Sequence, residues 1–306
     1  MIERASSHIP VMRDEVLAGL VVRADGRYFD GTFGRGGHAR AILAGLNERG
    51  RLLLMDRDPD AIAEAQRAFA DDPRVTIRHG NFADAGEWNE VRDLDGALLD
   101  LGVSSPQLDD PERGFSFQHD ALLDMRMDRG SGLSAVDFLQ SADEHEIADV
   151  LWRYGEERMS RRIARAIVAQ RAQSPIQTTR ELAKLVERTL GSRERNKHPA
   201  TRTFQALRIH VNDELRSLQR GLNAVTAALQ PGGRLVVISF HSLEDRIVKN
   251  FIRGDALATT RRGLPLPETT QAPLRAIGRA QFPSEIEIAA NPRARSAVLR
   301  IAEKQP

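Results

Sequence analysis

Short runs of apolar residues alternate with amphipathic stretches through the first third of the chain. Apolar residues at helical spacing predict helices at 38–47 and 61–69, and Asp58-Pro59 supplies an N-cap and a first-turn proline for the second. Buried strands are predicted at residues 28–30, 51–55, 75–77, 96–100 and 233–239. Strands that alternate with helices are typical of a parallel sheet covered on both faces, so the pattern predicts an α/β fold.

The connection between the fourth and fifth predicted strands contains no strand-like run. Its first part, 103–132, is rich in Asp, Gly, Ser and Pro, and such long connections are usually functional loops. Amphipathic patterns predict helices at 135–140, 144–154, 156–171, 179–190 and 203–229, the last leading back to the sheet. We therefore expect a helical domain, 108–205, inserted between two parts of a sheet domain, 1–107 and 206–306.

Charge is balanced overall but divided along the chain. Of the 306 residues, 44 are Lys or Arg and 43 are Asp or Glu. Residues 1–150 carry a net charge of −13, whereas 151–306 carry +14, which favours a polyanionic partner for the second half. Without cysteine the chain offers no disulfide, thiolate metal site or cysteine nucleophile. No apolar run reaches about 18 residues and no signal sequence is evident, so we expect a soluble cytoplasmic protein without a membrane partner.

A glycine-rich turn follows the first predicted strand. The segment DGTFGRGGH (30–38) opens a helix, and glycines there let the backbone approach a ligand. Asp56 ends the second strand, where a carboxylate accepts both ribose hydroxyls of an adenosine-type cofactor. Either feature alone is also explained structurally, as a tight corner or a solvated strand end. Together and in this order they favour a nucleoside cofactor.

The acidic residue that begins the turn separates two such cofactors. A dinucleotide is held through its pyrophosphate by a G-x-G-x-x-G pattern. Here Asp30 precedes glycines with a different spacing, and its carboxylate would repel a pyrophosphate. The same carboxylate suits the cationic amino group of S-adenosylmethionine, which is the cofactor that this argument favours over NAD.

Seven motifs make the chain resemble the bacterial small-subunit (16S) ribosomal RNA cytosine-N4 methyltransferases. They are DGTFGRGGH (30–38), LDLGVSSPQLD (99–109), RGFSF (113–117), MRMD (125–128), HPATRTFQ (198–205), SFHSLEDR (239–246) and NPRARS (291–296). The resemblance runs from about His8 to about Glu303. It implies a class I (Rossmann-like) methyltransferase with a mostly parallel sheet and an inserted helical domain, dependent on S-adenosylmethionine. It also implies cofactor contacts at Gly36, Gly37, His38, Asp56, Phe82, Asp100 and Gln107.

The turn after the fourth strand carries the candidate catalytic groups. The exocyclic nitrogen of cytosine is a poor nucleophile because its lone pair is delocalised into the ring, and hydrogen-bond acceptors would localise and orient that lone pair. Asp100 and Ser105 are our candidates, with Ser104 and backbone carbonyls as alternatives. Methylation at cytosine C5 generally uses a cysteine nucleophile, so the absence of cysteine leaves nitrogen or ribose-oxygen methylation. Phe82 would border an adenine ring, or otherwise be an ordinary core aromatic.

Arginines provide the candidate RNA contacts. Helical spacing over 156–171 places Arg158, Arg161, Arg162 and Arg165 on one face, as a phosphate track or a solvated stripe. Arg202, Arg293 and Arg295 lie in family-like motifs, as do His8, His198 and His241. No histidine pair has the helical spacing of a metal site, so no catalytic metal is expected. We interpret 242–245 as a helix N-cap with a capping-box carboxylate.

The residues alone leave the function and the assembly open. A nicotinamide-dependent oxidoreductase is a rival enzyme, which the Asp30 argument disfavours. A rival that is not an enzyme is an RNA-binding assembly factor with a vestigial cofactor site. The presence of Asp56, Asp100 and the glycines argues against such a loss of the cofactor site. The expected partner is small-subunit ribosomal RNA or the small ribosomal subunit, and a homodimer is possible.

Overall fold

The computed structural model describes residues 10–191, 198–254 and 273–306, which form two compact units. The first unit contains 1–102 and 215–306, and the second contains 103–214. The predicted helical insertion, 108–205, falls inside the second unit. Its domain boundaries stay a prediction.

The first unit is built on a seven-stranded sheet with the order β3-β2-β1-β4-β5-β7-β6. The first five strands in the chain are parallel to one another. Strand β7 pairs antiparallel with β5, and β6 pairs antiparallel with β7 at that edge of the sheet. The strands are β1 (Arg27–Asp30), β2 (Arg51–Asp56), β3 (Val75–His79), β4 (Leu94–Asp100), β5 (Leu229–Ser239), β6 (Leu274–Ala276) and β7 (Val298–Lys304). This arrangement confirms the predicted α/β fold with a mostly parallel sheet.

Helices cover both faces of this sheet because its strands are apolar on both sides. Leu52 and Leu54 of β2 join one buried cluster, and the intervening Leu53 joins the other. The helices of this unit are α1 (Arg13–Leu20), α2 (Gly37–Ala44), α3 (Pro59–Phe69), α10 (Glu214–Ala228), α11 (Ser242–Arg253) and α12 (Glu285–Ala290). The first residue of α10, Glu214, is counted with the second unit. Strand order reverses between β1 and β4, which is where ligands bind at the carboxyl ends of open α/β sheets.

The second unit is helical and has its own buried cluster. Its helices are α4 (Ser105–Asp109), α5 (Ala135–Ser141), α6 (Glu144–Gly155), α7 (Ser160–Arg171), α8 (Thr179–Leu190) and α9 (Thr201–Val211). Capping boxes begin α5 at Ser134 and α8 at Thr178. No helix in the described ranges combines the length and apolarity needed to cross a membrane.

Two predicted helices have different limits in the structure. The helix expected at 156–171 begins only at Ser160, because Glu156 adopts a left-handed conformation that ends α6. The helix expected at 203–229 is two helices, since Asp213 has φ +48°. Before this break, the buried side chain of Asn212 accepts a hydrogen bond from Met127 N (2.8 Å) and donates to the Met125 carbonyl (2.7 Å).

Two further corrections concern β5 and α11. The fifth strand begins at Leu229 rather than Gly233, and its register against β4 shifts between Leu94 and Gly96. The predicted N-cap of α11 is also one residue away from the observed one. His241 is the N-cap, and Glu244 completes the capping box by accepting hydrogen bonds from the backbone N–H groups of Phe240 and His241.

Candidate functional site

Three aspartates mark the carboxyl ends of three neighbouring strands of the first unit. Asp30 ends β1, Asp56 ends β2 and Asp100 ends β4, and β1 lies between the other two. Asp30 is buried, whereas the side chain of Asp100 is about one quarter exposed. The strand order thus brings three sequence-predicted carboxylates to the point where the sheet topology reverses. Such a concentration of negative charge favours a cationic ligand.

The glycine turn leads directly from β1 into α2. Gly34 and Gly36 have positive φ angles of 54° and 71°. A Cβ atom on Gly36 would lie 2.5 Å from the ring of Phe33, so the turn requires glycine there for space as well as for conformation. Gly36 is the N-cap of α2, and Gly37 is its first residue. The turn therefore presents bare backbone at a helix start beside the carboxylates.

Backbone hydrogen bonds hold the half-buried Asp56 in one orientation. Its Oδ2 accepts from the Gly34 N–H (2.8 Å) and its Oδ1 accepts from the Asp58 N–H (2.8 Å). Burial raises the pKa of Asp56 to about 6, against the lowering effect of these two hydrogen bonds. Each carboxylate oxygen retains a second lone pair, so the fixed carboxylate can accept further donors from a ligand.

Burial also raises the pKa of Asp30, in this case to about 7. The neighbouring His38 and a hydrogen bond from the Thr32 N–H (3.0 Å) lower that pKa, while Asp100 and Asp56 raise it further. The Thr32 hydroxyl oxygen in turn accepts from the Asp100 N–H (2.7 Å), which ties the turn to the end of β4. Sequence reasoning did not single out Thr32, although its place inside DGTFGRGGH was a usable signal.

His38 and Asp100 face each other with unused hydrogen-bonding capacity. His38 Nε2 lies 3.6 Å from Asp100 Oδ2, and the His38 side chain is buried. Both ring nitrogens and Asp100 Oδ1 are buried without a hydrogen-bond partner in the described parts of the chain. Because unsatisfied buried polar atoms are costly, they point to a ligand with complementary donors and acceptors.

Phe82 is held in place by residues from a distant part of the chain. It follows Asn81, whose Oδ1 accepts from the Ala83 N–H (3.0 Å) and whose Nδ2 donates to Ser217 Oγ (3.0 Å). The Phe82 ring lies against Gly221 of α10, where a Cβ atom would be 2.6 Å from Phe82 Cε2. The sequence did not indicate Ser217 or Gly221, because contacts between remote elements leave no local pattern.

Gln107 and Ser105, predicted as site residues, belong to the second unit. Ser105 begins α4, and Gln107 forms its capping box with Ser104, with Gln107 Oε1 accepting from the Ser104 N–H (2.9 Å). Gln107 is buried and Ser105 half-buried. The capping interaction gives Gln107 a structural role, and the roles predicted for both residues at the cofactor or in catalysis stay predictions.

The candidate RNA contacts divide between the units. In the second unit Arg158, Arg161, Arg162 and Arg165 are all exposed, although Arg158 precedes α7 instead of lying on it. In the first unit Arg293 and Arg295 are exposed in a turn before β7, and in the second unit Arg202 is exposed on α9.

Two of the predicted histidines contact other side chains of the protein. His198 packs on Phe117, with ring centroids 4.5 Å apart, and His241 Nε2 lies 3.2 Å from Glu244 Oε1. His8 lies outside the described residues.

Comparison with known proteins gives consistent matches along the whole chain. Residues 5–305 match a family model described as the MraW methylase family. The chain is 58% identical over 304 residues to a protein named ribosomal RNA small subunit methyltransferase H from Xylella fastidiosa (strain M23), with 97% of each chain covered. A protein of the same name from Stenotrophomonas maltophilia (strain K279a) is 57% identical over 300 residues, covering 97% of this chain and 93% of the relative. A solved structure of an rRNA methylase from Streptococcus thermophilus superposes with a TM-score of 0.43 at 11% identity, covering 96% of this chain and 94% of that one.

Proposed function

The chain belongs to the MraW methylase family, and we propose that it transfers a methyl group from S-adenosylmethionine to the N4 amino group of a cytidine in small-subunit ribosomal RNA. Membership confirms the family predicted from the seven motifs. The names of the relatives support the substrate. The observation that carries the cofactor assignment is the trio Asp30, Asp56 and Asp100 at the strand switch, beside the unsatisfied polar atoms of His38.

The residues present fit S-adenosylmethionine. Asp56, oriented by two backbone N–H groups, would accept the ribose hydroxyls, and Phe82 would border the adenine ring. Asp30 and Asp100 would face the methionine ammonium, which relieves the mutual repulsion of these acids. Gly36, Gly37 and His38 would lie along the methionine moiety. A pyrophosphate would meet the carboxylates of Asp30 and Asp100, which argues against a nicotinamide dinucleotide and hence against an oxidoreductase.

The cofactor supplies an electrophilic methyl group on a sulfonium centre, and the chain orients the attacking nitrogen. We assign Asp100 to this role, because its Oδ1 has no hydrogen-bond partner among the described residues. An acceptor there binds an amino hydrogen of cytosine and turns the nitrogen lone pair towards the methyl group. The amino nitrogen can lose its proton after methyl transfer, so no strong general base is required.

Ser105 and Gln107 are two further predicted residues. Ser105 is the second candidate for orienting the amino group, and Gln107 a further cofactor contact. Single-turnover methyl transfer at saturating cofactor separates the candidates. We expect Asp100→Asn to slow the step and Ser105→Ala to slow it less, because only Asp100 offers an anionic acceptor. An Asp100→Asn protein with an unchanged rate would pass the role to Ser105.

The absence of cysteine supports nitrogen over carbon as the methylated atom. Methylation of cytosine C5 generally proceeds through a cysteine adduct, and the chain has no cysteine. With ribosomal RNA as substrate, the expected location is the cytoplasm, and the subunit particle is an alternative substrate to free RNA. Sedimentation velocity tests the homodimer, and a sedimentation coefficient of a monomer at working concentrations would rule the dimer out.

Calorimetry tests the cofactor assignment. We expect the protein to bind S-adenosylmethionine and not NAD. Asp56→Ala should weaken S-adenosylmethionine binding by roughly 10- to 150-fold, since two ribose hydroxyls lose a charged acceptor worth about 1.5–3 kcal/mol. Asp71→Ala, which removes an exposed acid of the same unit, is the matched control and should bind normally. Binding of NAD alone, or an unchanged dissociation constant for Asp56→Ala, would reject the assignment.

A further inference from the structure

An open groove of about 650 Å³ lies between α6 and the start of α7, within the second unit. Its lining combines an exposed aromatic residue with a cluster of cations: Trp152, Arg158, Arg161, Arg162 and Arg165. His145 and Asp149 line the same wall as Trp152, because residues three and four apart share one face of a helix. The volume is that of a small-ligand site, although the groove is open on one side.

Three of the four arginines have no carboxylate partner among the described residues. Arg165 lies 3.6 Å from Glu144, but within the described ranges no carboxylate comes within 4.0 Å of Arg158, Arg161 or Arg162. The acidic residue of the groove, Asp149, is itself paired with Arg153 at 2.8 Å. The lining residues of the groove therefore carry a net positive charge.

The position of two of these arginines is unfavourable for the helix that carries them. Arg161 and Arg162 lie in the first turn of α7, which contains no acidic residue. The start of a helix carries a positive partial charge, so cations there destabilise the helix and anions stabilise it. An anionic ligand in the groove would reverse this effect. The arginines at the start of α7 thus destabilise the free helix and would stabilise it when an anion is bound.

Trp152 determines which kind of anion fits. Its side chain is 57% exposed on α6, beside the cations. An exposed indole offers a stacking surface for a nucleic-acid base, and base–aromatic stacking is available only to bases outside a duplex. Guanidinium groups bind phosphates through two parallel hydrogen bonds, and the groove is lined by four arginines and no lysine.

We propose that the α6–α7 groove binds an unpaired segment of RNA, with one base stacked on Trp152 and adjacent phosphates held by Arg158, Arg161 and Arg162. The inference rests on the proposed function for RNA as the natural ligand, and it adds a second contact with the substrate that is separate from the cofactor residues. It assigns this groove to single-stranded RNA in preference to duplex RNA.

Binding of a fluorescein-labelled oligocytidylate, measured by anisotropy at several salt concentrations, tests the proposal. Trp152→Ala should weaken binding roughly 5- to 150-fold, the loss of one stacked base, and Trp152→Phe should restore part of it. Replacing Arg158, Arg161 and Arg162 by Gln should flatten the plot of log K against log salt by about two units. The matched control replaces three exposed cations of α8, Arg180, Lys184 and Arg188, by Gln. It should change the slope much less.

Three outcomes would overturn the proposal. They are an unchanged affinity in Trp152→Ala, an equal change of slope in the α8 control, and duplex RNA bound as tightly as the single strand. Thermal unfolding and calorimetry with S-adenosylmethionine would check that the variants fold. If the wild-type protein binds the oligonucleotide through Trp152 but produces no N4-methylcytidine, the proposed function fails while the groove assignment stands. If methylation occurs and the groove variants bind RNA normally, only the groove assignment fails.

Discussion

Asp30 lies buried at the end of β1, and burial raises its pKa to about 7 from an ordinary value of 3.8. The folded protein therefore holds the proton of Asp30 more tightly than the unfolded chain does. Stability from this group is fully present below about pH 4 and is lost as pH rises through 7. Asp56, with a pKa raised to about 6, acts in the same direction. In the proposed complex a cationic ligand compensates these charges.

Replacement of Asp30 by Asn isolates this effect. The asparagine amide keeps an oxygen for the Thr32 N–H but carries no charge, so the variant should gain stability over the wild type as pH rises. Between pH 5 and pH 8 the gain should grow by on the order of 2–3 kcal/mol, measured by urea unfolding without cofactor. Asp71→Asn should show no such growth, because Asp71 is exposed. A gain for Asp30→Asn that is equal at both pH values would contradict the account.

Helix α10 supports Phe82 through a glycine, and this pairing predicts an unusual effect of substitution. Alanine in place of an interior glycine normally stabilises a helix by about 1 kcal/mol. Gly221→Ala should instead destabilise the protein by about 1–3 kcal/mol, since the new methyl group overlaps the Phe82 ring. It should also weaken cofactor binding by displacing that ring.

A double-mutant cycle measured by urea unfolding tests the contact. In a Phe82→Ala background the overlap with the ring is gone, and the close contact that is left is the Phe82 carbonyl oxygen at 3.3 Å. Gly221→Ala should then stabilise by up to about 1 kcal/mol. A change of sign between the two backgrounds is the expected result. Equal effects in both would show that the ring of Phe82 does not press on α10.

Local features of the elements could be predicted from sequence, whereas contacts between remote elements could not. Asp30, Asp56 and Asp100 follow apolar strand runs, and parallel strands place their carboxyl ends at one edge. The break after α9 could not be foreseen, because Asn212 is occupied by backbone groups of Met125 and Met127.

The C-terminal strands were missed for a related reason. Strand β7 carries charged residues among its apolar ones, and Arg300 donates a hydrogen bond to Asp245 of α11 (2.7 Å). Such a segment becomes a recognisable strand only when β5 is beside it. The sequence did not indicate a binding role for the exposed Trp152 either, because that role depends on the arginines that the fold brings near it.

The first unit carries Asp30, Asp56 and Asp100, which we propose hold the cofactor, and the second unit carries the cationic groove. The expectation that the second half of the chain faces a polyanion fits this division, because Arg158, Arg161 and Arg162 lie in the second half. In the proposed function, both units serve one reaction on RNA.

Mass spectrometry of the methylated nucleoside identifies the atom of the RNA that receives the methyl group. Small-subunit ribosomal RNA from cells that lack this activity would be incubated, free and as subunits, with the protein and S-adenosylmethionine carrying a deuterated methyl group. After digestion to nucleosides, we expect the label in N4-methylcytidine, and a greatly reduced yield with Asp100→Asn. Label in 5-methylcytidine or in a ribose-methylated nucleoside, or no label in either RNA from a protein that binds the cofactor, would rule out N4 methylation by this protein.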